Sequence, residues 1–161
     1  MNERIEVLVK RKTPVVMKVA QYVFIILAVF LIYMFGILAI LFSAIFGALA
    51  YIVGIRSNVE YEYTYFGKEL DVDIIFSMQK RKHLKTYDLE KLEVMAPVGS
   101  HHLDAYKNRG IKAKDFSTQL PENEKKVYVM YLAGNEKVLF EPTPDMVKTI
   151  ANIAPRKVFT E

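Results

Sequence analysis

Residues 15–55 read VVMKVAQYVFIILAVFLIYMFGILAILFSAIFGALAYIVGI, and the placement of this stretch decides the architecture of the chain. From Val19 to Ile55 there is no charged residue, and the only strongly polar side chains are Gln21 and Ser43. A run this long and apolar exceeds what a soluble core takes up, which predicts that it lies in a membrane. At about 1.5 Å per residue it is too long for one crossing of a roughly 30 Å hydrocarbon layer and suits two tight ones. Thr13-Pro14 is a helix-start signal: threonine caps free N–H groups, and proline at the first helical position loses nothing by lacking its own. The expectation is a first helix over 14–33, a tip at Tyr33, Met34, Phe35 and Gly36, and a second helix over 36–55.

Within the second helix, Gly36, Ala39, Ser43, Gly47, Ala50 and Gly54 recur at steps of three and four, so all six small residues share one helical face. In lipid, close backbone approach across small residues supplies the packing that burial of apolar surface supplies in water. This face serves either the hairpin, with large Val, Ile and Phe side chains of the first helix lying in it, or a second copy. Lys10, Arg11, Lys12 and Lys18 flank the first helix and Arg56 follows the second, while no basic residue sits at the tip. By the positive-inside rule both termini are then cytoplasmic. A cleaved signal peptide would need an apolar region less than half this long, which excludes that reading despite Ala48-Leu49-Ala50.

The net charge of +4 comes from the membrane flanks: residues 57–161 hold 16 Lys/Arg and 16 Asp/Glu. That placement fits attraction to anionic lipid and no nucleic acid. Zero cysteines exclude disulfides, thiolate metal sites and cysteine nucleophiles. Residues 1–13 form a cytoplasmic segment in which Ile5, Leu8 and Val9 among charges read as a short amphipathic surface helix. Residues 14–56 are the hairpin, and residues 57–161 suffice for one small domain with its own core.

In that domain Val59, Tyr61, Tyr63 and Tyr65 alternate with polar residues, and after Gly67-Lys68 the alternation resumes as Leu70, Val72, Ile74 and Phe76. A two-residue turn with glycine first predicts a type II′ hairpin and sets the register Tyr65 to Leu70, Tyr63 to Val72, Tyr61 to Ile74 and Val59 to Phe76. Glu62 then opposes Asp73, and that repulsion calls for a nearby lysine or arginine. Residues 82–87 and 92–96 read as further strands, ended by Pro97. Between residues 98 and 123 the pattern fades, with an edge strand within 111–116. Residues 126–133 are apolar on both faces and predict a central strand, followed by a Gly134-Asn135 turn and Val138, Leu139 and Phe140. Thr143-Pro144 starts a helix with the apolar stripe Met146, Val147, Ile150, Ala151 and Ala154, and Pro155 stops it.

Six or seven antiparallel strands closed by one C-terminal amphipathic helix resemble the bacterial pleckstrin-homology-like (PH-like) domain, a split β-barrel plugged by its last helix. The resemblance rests on the Tyr-rich first hairpin, residues 80–85, and the ending Phe140-Glu141-Pro142-Thr143-Pro144 with Ala154-Pro155-Arg156-Lys157-Val158. With the apolar hairpin, the chain is similar to uncharacterised bacterial two-span membrane proteins carrying a domain of unknown function. The resemblance implies a membrane α-hairpin followed by an α+β, mostly β, domain, and a place at the cell membrane; it implies no activity.

Lys80, Arg81, Lys82 and Lys85 form the densest basic cluster outside the flanks. They read as an edge strand guarded by lysines, or as a contact for anionic headgroups or a protein partner. His101, His102 and Asp104 are the nearest approach to a metal set, but adjacent loop histidines rarely point at one ion and His83 is distant in sequence. Ser43 lies in the apolar run, Ser77 and Ser100 lack a nucleophile-elbow context, and the glycines are scattered singly, so neither an enzyme nor a cofactor is expected. The expected role is a membrane-anchored cytoplasmic adaptor. The alternative is a structural subunit of an oligomeric, transport-related membrane complex assembled through the small-residue face.

Overall fold

A computed structural model describes residues 4–161. Among the described residues the first element is strand β1 (Ile5–Lys10), followed by a helical stretch of 43 residues, Val15–Ser57. That stretch is long and apolar enough to cross a membrane. It is not straight: α1 (Val15–Phe35) ends at Gly36, whose φ of 58° and ψ of −139° leave the helical region, and a 3-10 turn (Gly36–Ala39) leads into α2 (Ile40–Ser57). Glycine tolerates this left-handed φ without steric cost, so the chain reverses there. The rings of Phe24 and Phe46 approach to 6.2 Å, which places α2 alongside α1. The reversal sits at the expected tip, but the second α-helix starts at Ile40 rather than Gly36.

The strands form two four-stranded sheets, the first of which includes β1. Strands β2 (Val59–Phe66) and β3 (Glu69–Phe76) pair in the anticipated register, Tyr65 with Leu70 through Val59 with Phe76. Gly67 at φ 64°, followed by a residue with negative φ, fits the expected turn. β4 (Lys80–Asp88) closes the first sheet, with a register shift between Val72 and Asp73. In the second sheet β7 (Tyr128–Leu132) lies between β5 (Leu92–Pro97) and β8 (Glu136–Phe140). A one-turn helix α3 (Asp104–Lys107) and the short β6 (Ala113–Asp115) fill the segment between β5 and β7.

The strand count and its uniform antiparallel pairing need correction. Among the described residues there are eight strands, and β6 runs parallel to β8. The eighth is β1, where a surface helix was expected. Ile5, Val7 and Val9 alternate along it and pack against the core, while Leu8 points outward. β1 pairs antiparallel with β2 from Ile5–Tyr65 to Lys10–Glu60. Residues 5–10 are therefore part of the barrel, and the helical hairpin is an insertion between two neighbouring strands of one sheet.

The core joins both sheets. Tyr63 is fully buried, meets Phe140 edge to face at 5.6 Å, and donates its hydroxyl to the Phe116 carbonyl at 2.5 Å. Burial pushes its phenol pKa well up. α4 (Pro144–Ile153) closes the barrel through Met146, Val147 and Ile150, and Thr143 caps it by accepting from the Met146 amide at 3.3 Å. The other Thr-Pro pair behaves differently. Pro14 itself takes the capping position before α1, and Thr13 makes no capping bond.

Candidate functional site

Between α1 and α2 the small side chains do the packing. Ala39, Ser43 and Ala50 of the expected face are buried, and the half-buried residues of α1 include Ala20, Gln21, Phe24, Ala28 and Leu31. Of the large side chains expected in this groove, Phe24 lies against Phe46, while the Val and Ile residues of α1 are exposed on its outside. Gly54 meets Gln21: a methyl group added at Gly54 would come within 2.7 Å of the Gln21 amide nitrogen. Gly36 and Gly47 are exposed, and a side chain at either would meet nothing within 4 Å, so these two lie outside the seam. The Ser43 hydroxyl is buried with no hydrogen-bond partner among the described residues.

At the base of the hairpin, the chain is tied down on every side. The Arg11 amide donates to the Val59 carbonyl at 2.9 Å and the Lys12 amide to the Thr118 carbonyl at 2.8 Å. The Arg11 guanidinium donates to the Tyr61 hydroxyl at 2.7 Å and lies over the Tyr61 ring, so it belongs to the barrel. Lys10, Lys12, Lys18 and Arg56 are exposed. The turn between β3 and β4 returns to the same place. The Ser77 amide donates to the Asn58 carbonyl at 2.8 Å and its hydroxyl to the Ile55 carbonyl at 3.1 Å. Met78 at the tip of that turn is 76 % exposed.

The basic cluster on β4 divides in two. Arg81 binds Glu62 at 2.7 Å and Asp73 at 2.6 Å, supplying the cation that the facing carboxylates require. Partial burial pushes the Asp73 carboxyl up, but hydrogen bonds from Arg81 and His83 outweigh it and hold its pKa below the ordinary value. Lys85 pairs with Glu136. Lys80 and Lys82 are exposed and make no ion pair among the described residues. The Gly67-Lys68 turn is at the other end of β2 from Asn58, with Lys68 bound to Glu90.

A groove of about 600 Å³ runs between Val9 of β1, Tyr128 of β7 and Pro144 and Val147 of α4, with Lys125, Lys126 and Lys148 on its rim. The Glu141 carboxylate in it accepts from the Thr118 amide and hydroxyl at 2.7 and 2.6 Å. Sequence reasoning missed this groove because its walls come from three distant segments. It missed Met78 because one methionine in a turn carries no periodic signal.

His101 and His102 are engaged in ring stacking, and His83 is bound to a carboxylate. His102 stacks on Phe159 at 3.6 Å, His101 lies 3.9 Å from His102, Asp104 pairs with Lys107, and His83 is on β4 beside Asp73. Among the described residues no three His, Asp or Glu side chains gather as a metal set would. Ser100 caps the turn at His102 and donates to the Glu161 carbonyl.

Over residues 1–160 the sequence matches a family described as a bacterial PH-like domain, DUF6106, and the chain belongs to it. The mostly β fold with its C-terminal helix is that of a PH-like domain of unknown function. Comparison with curated proteins and with solved structures gave no match.

Proposed function

We propose that this bacterial PH-like protein is a membrane-anchored adaptor. The hairpin crosses the bilayer twice, both termini are cytoplasmic, and the barrel lies against the inner leaflet, where it recruits a protein partner or anionic headgroups. The observation that carries this reading is the insertion of an apolar helical hairpin between β1 and β2, which are hydrogen-bonded neighbours. Both ends of the hairpin therefore leave the barrel at one point, and the exposed cations Lys10, Lys12, Lys18 and Arg56 collect there. Tethering raises the effective concentration of anything the barrel binds, so localisation is itself the mechanism. The lysine-rimmed groove beside α4 is the surface on the barrel best shaped for a partner.

The outward position of Gly47 on α2 favours a second reading, a subunit of an oligomeric membrane complex, in which that residue meets another copy. Photo-crosslinkers at Lys148 and at Gly47, in the full chain in native membranes, separate the two. The adaptor reading expects an adduct with a different protein from Lys148. An adduct with a second copy from Gly47, with none from Lys148, supports the subunit.

A further inference from the structure

We propose that the β3–β4 turn is a second attachment to the membrane, in which Met78 inserts into the headgroup region and Lys80 and Lys82 hold anionic lipid around it. This rests on the reading that the hairpin lies in a bilayer. α2 ends at Ser57, β2 leads away from it to Phe66, and β3 returns antiparallel to Phe76. The turn after β3 therefore points back towards the end of α2, and Ser77 fixes it there through the carbonyls of Ile55 and Asn58.

The turn is tight. Ser77 and Met78 have φ of 47° and 57°, and the Gln79 amide closes it on the Phe76 carbonyl at 3.0 Å. Glycine, asparagine or aspartate is the usual occupant of such a left-handed position in water. Methionine gains nothing there by exposure, but its flexible, polarisable side chain suits the boundary between headgroups and acyl chains. The charges agree. Arg81 binds Glu62 and Asp73, Glu60 opposite Ile75 is buried, and the exposed charges beside the turn are those of Lys80 and Lys82, which make no ion pair among the described residues. Arg56 and Lys12 lie at the same end of the barrel. An anionic leaflet attracts cations so placed. With α1, α2 and the turn all seated, the barrel cannot swivel, and the groove keeps one orientation to the surface.

The absence of cysteines allows single-site spin labelling of the full chain. Met78→Cys, Ile26→Cys on the outer face of α1 and Lys125→Cys on the barrel are each labelled and reconstituted in phosphatidylcholine vesicles with and without phosphatidylglycerol. Accessibility to a water-soluble relaxant is compared with accessibility to oxygen. The label at 78 is expected to be several-fold less accessible to the water-soluble relaxant than that at 125, deeper with phosphatidylglycerol, and shallower again in Lys80→Glu/Lys82→Glu. Water exposure at 78 equal to that at 125, with the label at 26 in lipid, overturns the attachment alone. A depth unchanged by the lysine substitutions also overturns it. Water exposure at 26 defeats the bilayer reading itself.

Discussion

In α1 no residue is buried, and Val16, Ile26 and Tyr33 stand on the outside, whereas in β2 the large side chains of Tyr61, Tyr63 and Tyr65 are all turned inward. The hairpin keeps alanine, serine, Gly54 and the Phe24–Phe46 pair at its seam and presents most of its large apolar groups outward; the barrel turns its large side chains inward. One chain therefore holds two packing arrangements of opposite sense. Apolar burial drives the barrel together in water; in the bilayer we propose for the hairpin, where the surroundings are as apolar as the side chains, close backbone approach is what holds helices together. The hairpin leaves the barrel between β1 and β2, so the dependence of each region on the other is tested first at that joint and then on each side of it.

The joint gives the largest effect. A chain starting at Ser57 lacks β1 and exposes the pairing edge of β2 with part of the core, so it is expected to aggregate or stay unfolded. A chain joining residues 4–12 to 57–161 restores β1 and is expected to fold, because the Arg11 amide already bonds the Val59 carbonyl. Circular dichroism and size-exclusion chromatography of the two check this. Next, Tyr63→Ala removes a fully buried ring and is expected to cost about 3–5 kcal/mol. Denaturation should then lose strand signal before helix signal.

On the hairpin side, Gly54→Leu forces a side chain against Gln21 and is expected to cost about 1–3 kcal/mol of helix packing. Gly47→Leu meets open space and should leave the seam unchanged. Disulfide formation between Phe24→Cys and Phe46→Cys reports the difference. The smallest effect belongs to the barrel surface, where Arg81→Ala should cost about 0.2–1 kcal/mol. Asp73 binds its proton less readily folded than unfolded, so its stabilisation is present above the ordinary value of 3.8 and is lost as pH falls through the lower folded value. Acid titration of Asp73→Asn should remove that part of the low-pH loss.

Local signals were legible and distant ones were not. The β2–β3 register followed from Gly67-Lys68 because turn and alternation lie within eighteen residues and agree. β1 was misread because Leu8, facing outward, gave Ile5, Leu8 and Val9 a helical spacing, and because its partner strand lies beyond the whole hairpin. β6 is three residues long, and its parallel partner β8 comes after β7. The two Thr-Pro pairs show the limit of a motif. Thr143 caps its helix, but at Thr13 the chain is still tied to the barrel through Lys12, so Pro14 serves as the cap. At the site, the basic cluster was visible as residue types, yet only the fold shows that Arg81 and Lys85 are already paired.

The most direct test is topological. Leu38→Cys at the turn of the hairpin and Lys125→Cys on the barrel are treated with a membrane-impermeant maleimide, in intact spheroplasts and in inside-out vesicles. A hairpin that passes through the bilayer and returns predicts labelling of Leu38→Cys only from outside and of Lys125→Cys only in the inverted vesicles. Labelling of both from the same side would contradict it.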